Sequence, residues 1–165
     1  MQMQRVVRLC GAVVVGLLAL TRSVAGQRMS AVEVGVVAPG HGRLLQLGYR
    51  FSALDRNALG IDIAVATLPE ALAYGIVVLG ADLDAAFLLS PTAAVGFVAR
   101  AGVSTIAGAG EGGGGAVFGY NIGGGVLVRA WNHGALRVDY THRRFSMDGD
   151  QLSLPSLTLG VVWFR

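Results

Sequence analysis

Lysine is absent from this chain: all thirteen basic residues are arginine. A GC-rich genome alone accounts for that bias, so it points to no function. Cysteine is nearly absent too. The one residue, Cys10, lies in an apolar N-terminal stretch, which excludes a disulfide framework or thiol chemistry in the rest of the chain. It precedes most of that stretch, so its place is not that of a lipoprotein anchor. Charge is scarce, at 14% against 53% hydrophobic residues, well below an average soluble domain. Long apolar runs are missing as well. From Ser30 onward no window holds the roughly 18 clean apolar residues of a spanning helix, and the best stretch, 71–89, is broken by Asp82 and Asp84.

The first 25 residues read as a cleaved signal peptide. Arg5 and Arg8 form a basic start, Leu9 to Leu20 an apolar core, and Ser23-Val24-Ala25 a small-residue cleavage site. The remaining 140 residues, 26–165, form a single domain. Cleavage removes Arg5, Arg8 and Arg22, leaving ten Arg against ten Asp plus Glu. A neutral chain has no clustered basic surface, so nucleic acid is not a partner.

What is present is alternation with a period of two. Eight segments read as strands: 30–38, 42–54, 58–67, 72–88, 93–107, 114–131, 134–146 and 154–164. Turn signals separate them, among them Pro69-Glu70, Ser90-Pro91, the run Gly110 to Gly115, Asn132-His133-Gly134 and Met147-Asp148-Gly149-Asp150. The alternation has a definite sense. Leu45, Leu47, Tyr49 and Phe51 oppose Gln46, Gly48, Arg50 and Ser52; Leu136, Val138 and Tyr140 oppose Arg137, Asp139 and Thr141. One face is bulky and apolar, the other small or charged. Such a second face makes a poor soluble surface but suits a narrow lumen. Apolar-out, polar-in segments of about ten residues are the pattern of a transmembrane barrel, and lipid requires closure because an open edge leaves backbone groups unpaired. The expected fold is all-β: an eight-stranded antiparallel up-and-down transmembrane β-barrel.

Parity then places ten charges in the lumen: Glu33, Arg50, Asp62, Asp82, Asp84, Arg100, Arg129, Arg137, Asp139 and Arg143. With the N-terminus in the periplasm, most of them fall in the periplasmic half, Arg100 near the middle and Arg143 high. An eight-stranded barrel is only wide enough for its own side chains, and unpaired buried charge is costly, so these groups are expected to pair into a plug. Arg129 and Arg137, flanking the turn at Asn132, are expected to enter the lumen together and pair among Asp82, Asp84, Asp139 and Glu33. An ion pathway or acid–base site is the functional alternative. Gly123 and Gly125 share the inward face, where glycine makes room for neighbouring side chains. With Arg100 they line the pocket a small solute would use. Tyr49, Phe51, Phe87, Tyr120, Tyr140 and Trp163 face outward, as interfacial rings do.

Several chemistries are set aside. Gly110 to Gly115 lacks the Lys-Ser/Thr and the helix of a phosphate-binding loop, so it reads as a flexible outer loop. His41, His133 and His142 lack metal-ligand spacing, and Asp148 and Asp150 are only a fragment of a calcium loop. No cofactor is implied. His142 and Ser146 invite a lipid-hydrolase reading, but four residues along a strand separate them by over about 10 Å, beyond the reach a nucleophile and base require. The chain reads as a non-enzyme.

The stretch Gly119 to Phe145, GYNIGGGVLVRAWNHGALRVDYTHRRF, together with the final SLTLGVVWFR, resembles the outer-membrane β-barrel domain family that includes the OmpA-like transmembrane domain. The first looks like the family's penultimate hairpin, the second like its C-terminal insertion signal. The resemblance implies an outer-membrane location, a lipid surround, and the barrel-assembly machinery as partner during insertion. The family usually ends in an outward aromatic residue. Here Trp163 is outward, Phe164 inward, and Arg165 takes the last outward place.

Overall fold

The computed structural model describes residues 27–40, 42–55, 58–89, 94–111, 113–147 and 150–165. The signal segment 1–25, with Cys10, lies outside them, as do His41, Ser90-Pro91 and Asp148. The strands are β1 (Gln27–Val37), β2 (Leu44–Leu54), β3 (Leu59–Thr67), β4 (Val77–Leu89), β5 (Val95–Gly110), β6 (Gly113–Trp131), β7 (Gly134–Met147) and β8 (Asp150–Phe164). They form a closed barrel in sequence order, each pair antiparallel. Closure comes from β1 on β8, with Met29 opposite Phe164 and Val37 opposite Ser156. Beyond the ladder, Arg165 N–H donates to Arg28 O at 2.8 Å and Arg28 N–H to Arg165 O at 3.2 Å. No sheet edge remains between the first and last strands, as hydrocarbon demands.

The wall is inverted relative to a soluble protein. Val32, Leu47, Ile61, Val103, Tyr120, Ile122, Leu157 and Leu159 are exposed. Glu33, Arg50, Asp62, Asp84, Arg137 and Asp139 are buried. A belt of branched apolar side chains outside and charges inside is stable only with lipid as the outer solvent.

Local chemistry moved several strand ends. The fourth strand, expected from 72, starts at Val77; Pro69–Tyr74 form a 3-10 turn instead. Proline opens that turn, where a missing N–H is harmless, and Gly75 closes it in the left-handed region at φ 70°, donating its N–H to Leu72 O. Most of the described part of the glycine run is strand: Gly108, Ala109 and Gly110 pair with Gly115, Gly114 and Gly113. β8 begins at Asp150 and not at 154, because Gln151, Leu152 and Ser153 pair with Ser146, Phe145 and Arg144.

The interior is layered. At the end that carries both termini, Met29, Leu54, Leu88, Val98, Leu127 and Val162 form an apolar cluster with Phe164 packed against it. At the far end Val37, Phe145 and Leu154 form a second one, joined by Leu68, Ile106, Val117 and Leu152. The charges lie between them. The charges, most of them expected in the periplasmic half, stop short of the terminal mouth, which is filled by hydrocarbon side chains on the same parity.

Candidate functional site: the charged belt of the lumen

Arg50 on β2 donates through Nε to Glu33 Oε1 at 2.7 Å on β1, and through Nη1 to Asp62 Oδ1 at 2.5 Å on β3. Ser52 Oγ donates to the other oxygen of Asp62 at 2.9 Å. Across the lumen, Arg137 pairs through Nε with Asp139 on its own strand, and its Nη2 stands 3.7 Å from Asp62 Oδ2. Arg100 on β5 donates to Asp139 Oδ1 at 2.7 Å and to Thr141 Oγ1 at 2.9 Å. A neighbouring group completes the belt. Arg143 grips Asp82 with two parallel bonds, Nε to Oδ1 at 2.9 Å and Nη2 to Oδ2 at 2.6 Å, while its Nη1 donates to Ser156 Oγ at 2.8 Å. Ser104 Oγ also donates to Asp82 Oδ1, at 2.7 Å. Asn121 links the two groups, donating to Asp84 Oδ1 at 2.8 Å and to Ser104 Oγ at 2.9 Å.

The first five strands and β7 each contribute a buried charge, while β6 and β8 contribute the neutral Asn121 and Ser156. Guanidinium suits such a belt, because its planar fork reaches two carboxylates at once, as in Arg50, or grips one bidentately, as in Arg143. Glycine supplies the space. A Cβ on Gly125 would strike Asp139 Oδ1, one on Gly102 would strike Asp84 Oδ1, and one on Gly123 would come within 3.3 Å of Arg100 Nε.

Nine of the ten charges read from the sequence are buried here, and Arg129 is not. The register of β6 on β7 shifts between Arg129 and Trp131. Arg129 stands exposed at the rim of the terminal end, its guanidinium 5.1 Å from the centre of the Phe164 ring. The expected side-by-side entry of Arg129 and Arg137 is therefore corrected. Arg137 reaches Asp62, which was not among its expected partners. Without Arg129, five buried carboxylates face four buried guanidiniums among the described residues. The surplus falls on Asp84. Its Oδ2 has no hydrogen-bond partner and lies 3.8 Å from Arg100 Nε, which has none either.

Sequence reading missed the polar relay of Ser52, Ser104, Asn121, Thr141 and Ser156, all buried and bonded to the charges. Their inward parity was the available signal. The solute pocket expected at Gly123, Gly125 and Arg100 is filled by the Arg100–Asp139 pair. A cavity does exist nearer the far end, about 50 Å³, with walls that include Ala64, Ala66, Val78 and Ile106 and with Asp82 and Arg143 also in its lining.

No family model matches the chain, and no curated protein matches it. Solved structures do. OprG, an outer membrane protein of Pseudomonas aeruginosa, is 10% identical with a TM-score of 0.64, covering 88% of this chain and 98% of that one. Neisserial surface protein A is 14% identical, TM-score 0.58, covering 83% and 95%. A barrel from the de novo design of transmembrane β-barrels is 16% identical, TM-score 0.55, covering 85% and 96%. This is the fold of a small outer-membrane β-barrel. The likeness extends to a designed protein, so it speaks for architecture and not for a biological role.

Proposed function

We propose that the chain is a small β-barrel of the outer membrane of a Gram-negative-type bacterium, with a structural or interaction role and a lumen closed by its charged belt. One observation carries this reading: paired, buried charges fill the middle of the lumen, and apolar clusters stop it at both ends. A conducting path needs continuous water, and the apolar layer at the terminal end offers no polar partners to hold it. Outer-membrane lipid is then the main partner, and the last strand, SLTLGVVWFR, is the segment the assembly machinery would read. Leu72, Tyr74 and Phe118, exposed toward the far end, suit contact with another molecule.

Planar-bilayer recording tests the closed lumen. Refolded protein is expected to give no steady conductance; large, steady steps would overturn the reading. The solute-binding alternative has the far-end cavity behind it, but 50 Å³ holds only about three to five waters. That suits a ligand of a few atoms and not passage of a nutrient. The hydrolase reading has little left. The hydroxyl near His142 is Ser153 and not Ser146, and the other ring nitrogen faces Tyr140 Oη at 3.4 Å, with no carboxylate among the described residues to orient it.

A further inference from the structure

β7 changes character on its outward face. Leu136, Val138 and Tyr140 are exposed and amphipathic or apolar. The next outward positions toward the far end are His142 and Arg144. A cation on the lipid face is costly at mid-bilayer and nearly free of cost near the interface. Arg144 therefore marks the level of the lipid headgroups.

Its setting is organised. Arg144 Nε donates to His142 Nε2 at 3.4 Å, and Ser153 Oγ on β8 lies 3.2 Å from the same nitrogen. Tyr140 Oη lies 3.4 Å from His142 Nδ1. The register puts Tyr120 directly opposite Arg144 on one side and Ser153 on the other. The imidazole thus holds the guanidinium by its Nε, and the two terminal nitrogens have no partner among the described residues. Among the described residues of β6, β7 and β8 no acid answers this charge: Asp139 is buried in the lumen, and Asp150 lies at the hairpin tip on the parity of lumen-facing Leu152 and Leu154.

We propose that Arg144, steadied by His142 and flanked by Ser153, binds the phosphate of an outer-leaflet lipid headgroup against the outer wall of β7 and β8. A planar two-nitrogen fork with a hydroxyl beside it matches tetrahedral phosphate. Tyr120 beside it and Tyr140 on its own strand suit the headgroup level. The site rests on the reading of the chain as a membrane barrel, and goes beyond it by naming a lipid chemistry and a place.

The test uses barrel refolded in alkyl-maltoside micelles and offered equal amounts of a phosphorylated glycolipid and the same lipid with its phosphate removed. Native mass spectrometry counts what is retained. Wild type is expected to favour the phosphorylated form about five-fold, the worth of one basic residue at a membrane surface. Arg144→Gln should bring the ratio near one. Arg43→Gln, an exposed cation between β1 and β2, should leave it unchanged. A wild-type ratio near one, or an equal loss in Arg43→Gln, overturns the site. Inorganic phosphate that abolishes the preference at the lipid's own concentration marks a free-anion site and overturns the lipid assignment. Gel migration of boiled and unboiled samples separates the two readings: identical migration overturns the barrel, whereas a heat-modifiable barrel without phosphate preference overturns only the site.

Discussion

Around Asp62 the lumen is a lattice of forked guanidiniums and carboxylates, each oxygen answered by a donor. At Leu54, two residues beyond Ser52 on the same strand face, it is hydrocarbon packed against Met29 and Phe164. Both regions close the same tube. The belt does so by pairing, which is nearly neutral overall, because attraction in a low dielectric repays the desolvation of each ion. The apolar layer does so by filling, which is favourable area by area. The difference predicts how each fails. The belt fails when a partner is removed and a charge is left alone, and the layer fails when volume is removed.

The largest effect is expected from Arg137→Ala. It strips Asp139 of its strand-mate and Asp62 of its second cation, and breaking a fully buried pair costs about 3–5 kcal/mol. Urea unfolding in lipid vesicles measures this, and a midpoint equal to wild type would show that the belt is not held by pairing. Next comes Leu54→Ala in the apolar layer. Loss of a buried leucine costs about 2–5 kcal/mol, with the low end expected where the site is near the mouth and can refill with water. A loss larger than that of Arg137→Ala would reverse the ranking of the two regions.

Parity made the barrel legible. Arg50, Asp62, Arg137 and Asp139 share their strands with bulky residues of the opposite phase, and that alternation sets both the strand count and the inward set. The apolar layers were harder to read. Leu54, Leu88, Leu127 and Phe145 have lipid-facing composition, and only their phase relative to Arg50, Asp84, Gly125 and Arg143 turns them inward. Arg129 keeps the inward phase, opposite buried Ala135, but stands beyond the apolar layer at the mouth, and parity does not tell depth. Pro69-Glu70 marks the turn, but 72–76 reads as strand because ALAYGIVV contains no charge to interrupt it. The pairing of His142 with Ser153 depends on the register of the β7–β8 hairpin, and so on a turn whose length the sequence states only approximately.

The smallest effect is expected from Asp84→Asn, which sharpens the comparison within the belt itself. Asp84 and Asp62 pair directly across β3 and β4, at the same height, and both are buried. Asp62 is answered by Arg50, Arg137 and Ser52. Asp84 receives one bond from Asn121 and has its other oxygen 3.8 Å from Arg100. Five carboxylates share four guanidiniums, so neutralising one of the five balances the belt. An amide at this position keeps an acceptor for Asn121. It gives up only the attraction across 3.8 Å to Arg100, which is not a hydrogen bond, and removes one of the five like charges of the belt. The expected shift in stability is within about 1 kcal/mol of wild type, whereas the same change at Asp62 leaves two guanidiniums short of an anion and costs about 3–5 kcal/mol. Paired urea titrations of the two variants in the same vesicles decide it. Equal losses would mean that Asp84 is as firmly held as Asp62, and that the surplus charge of the belt is carried elsewhere.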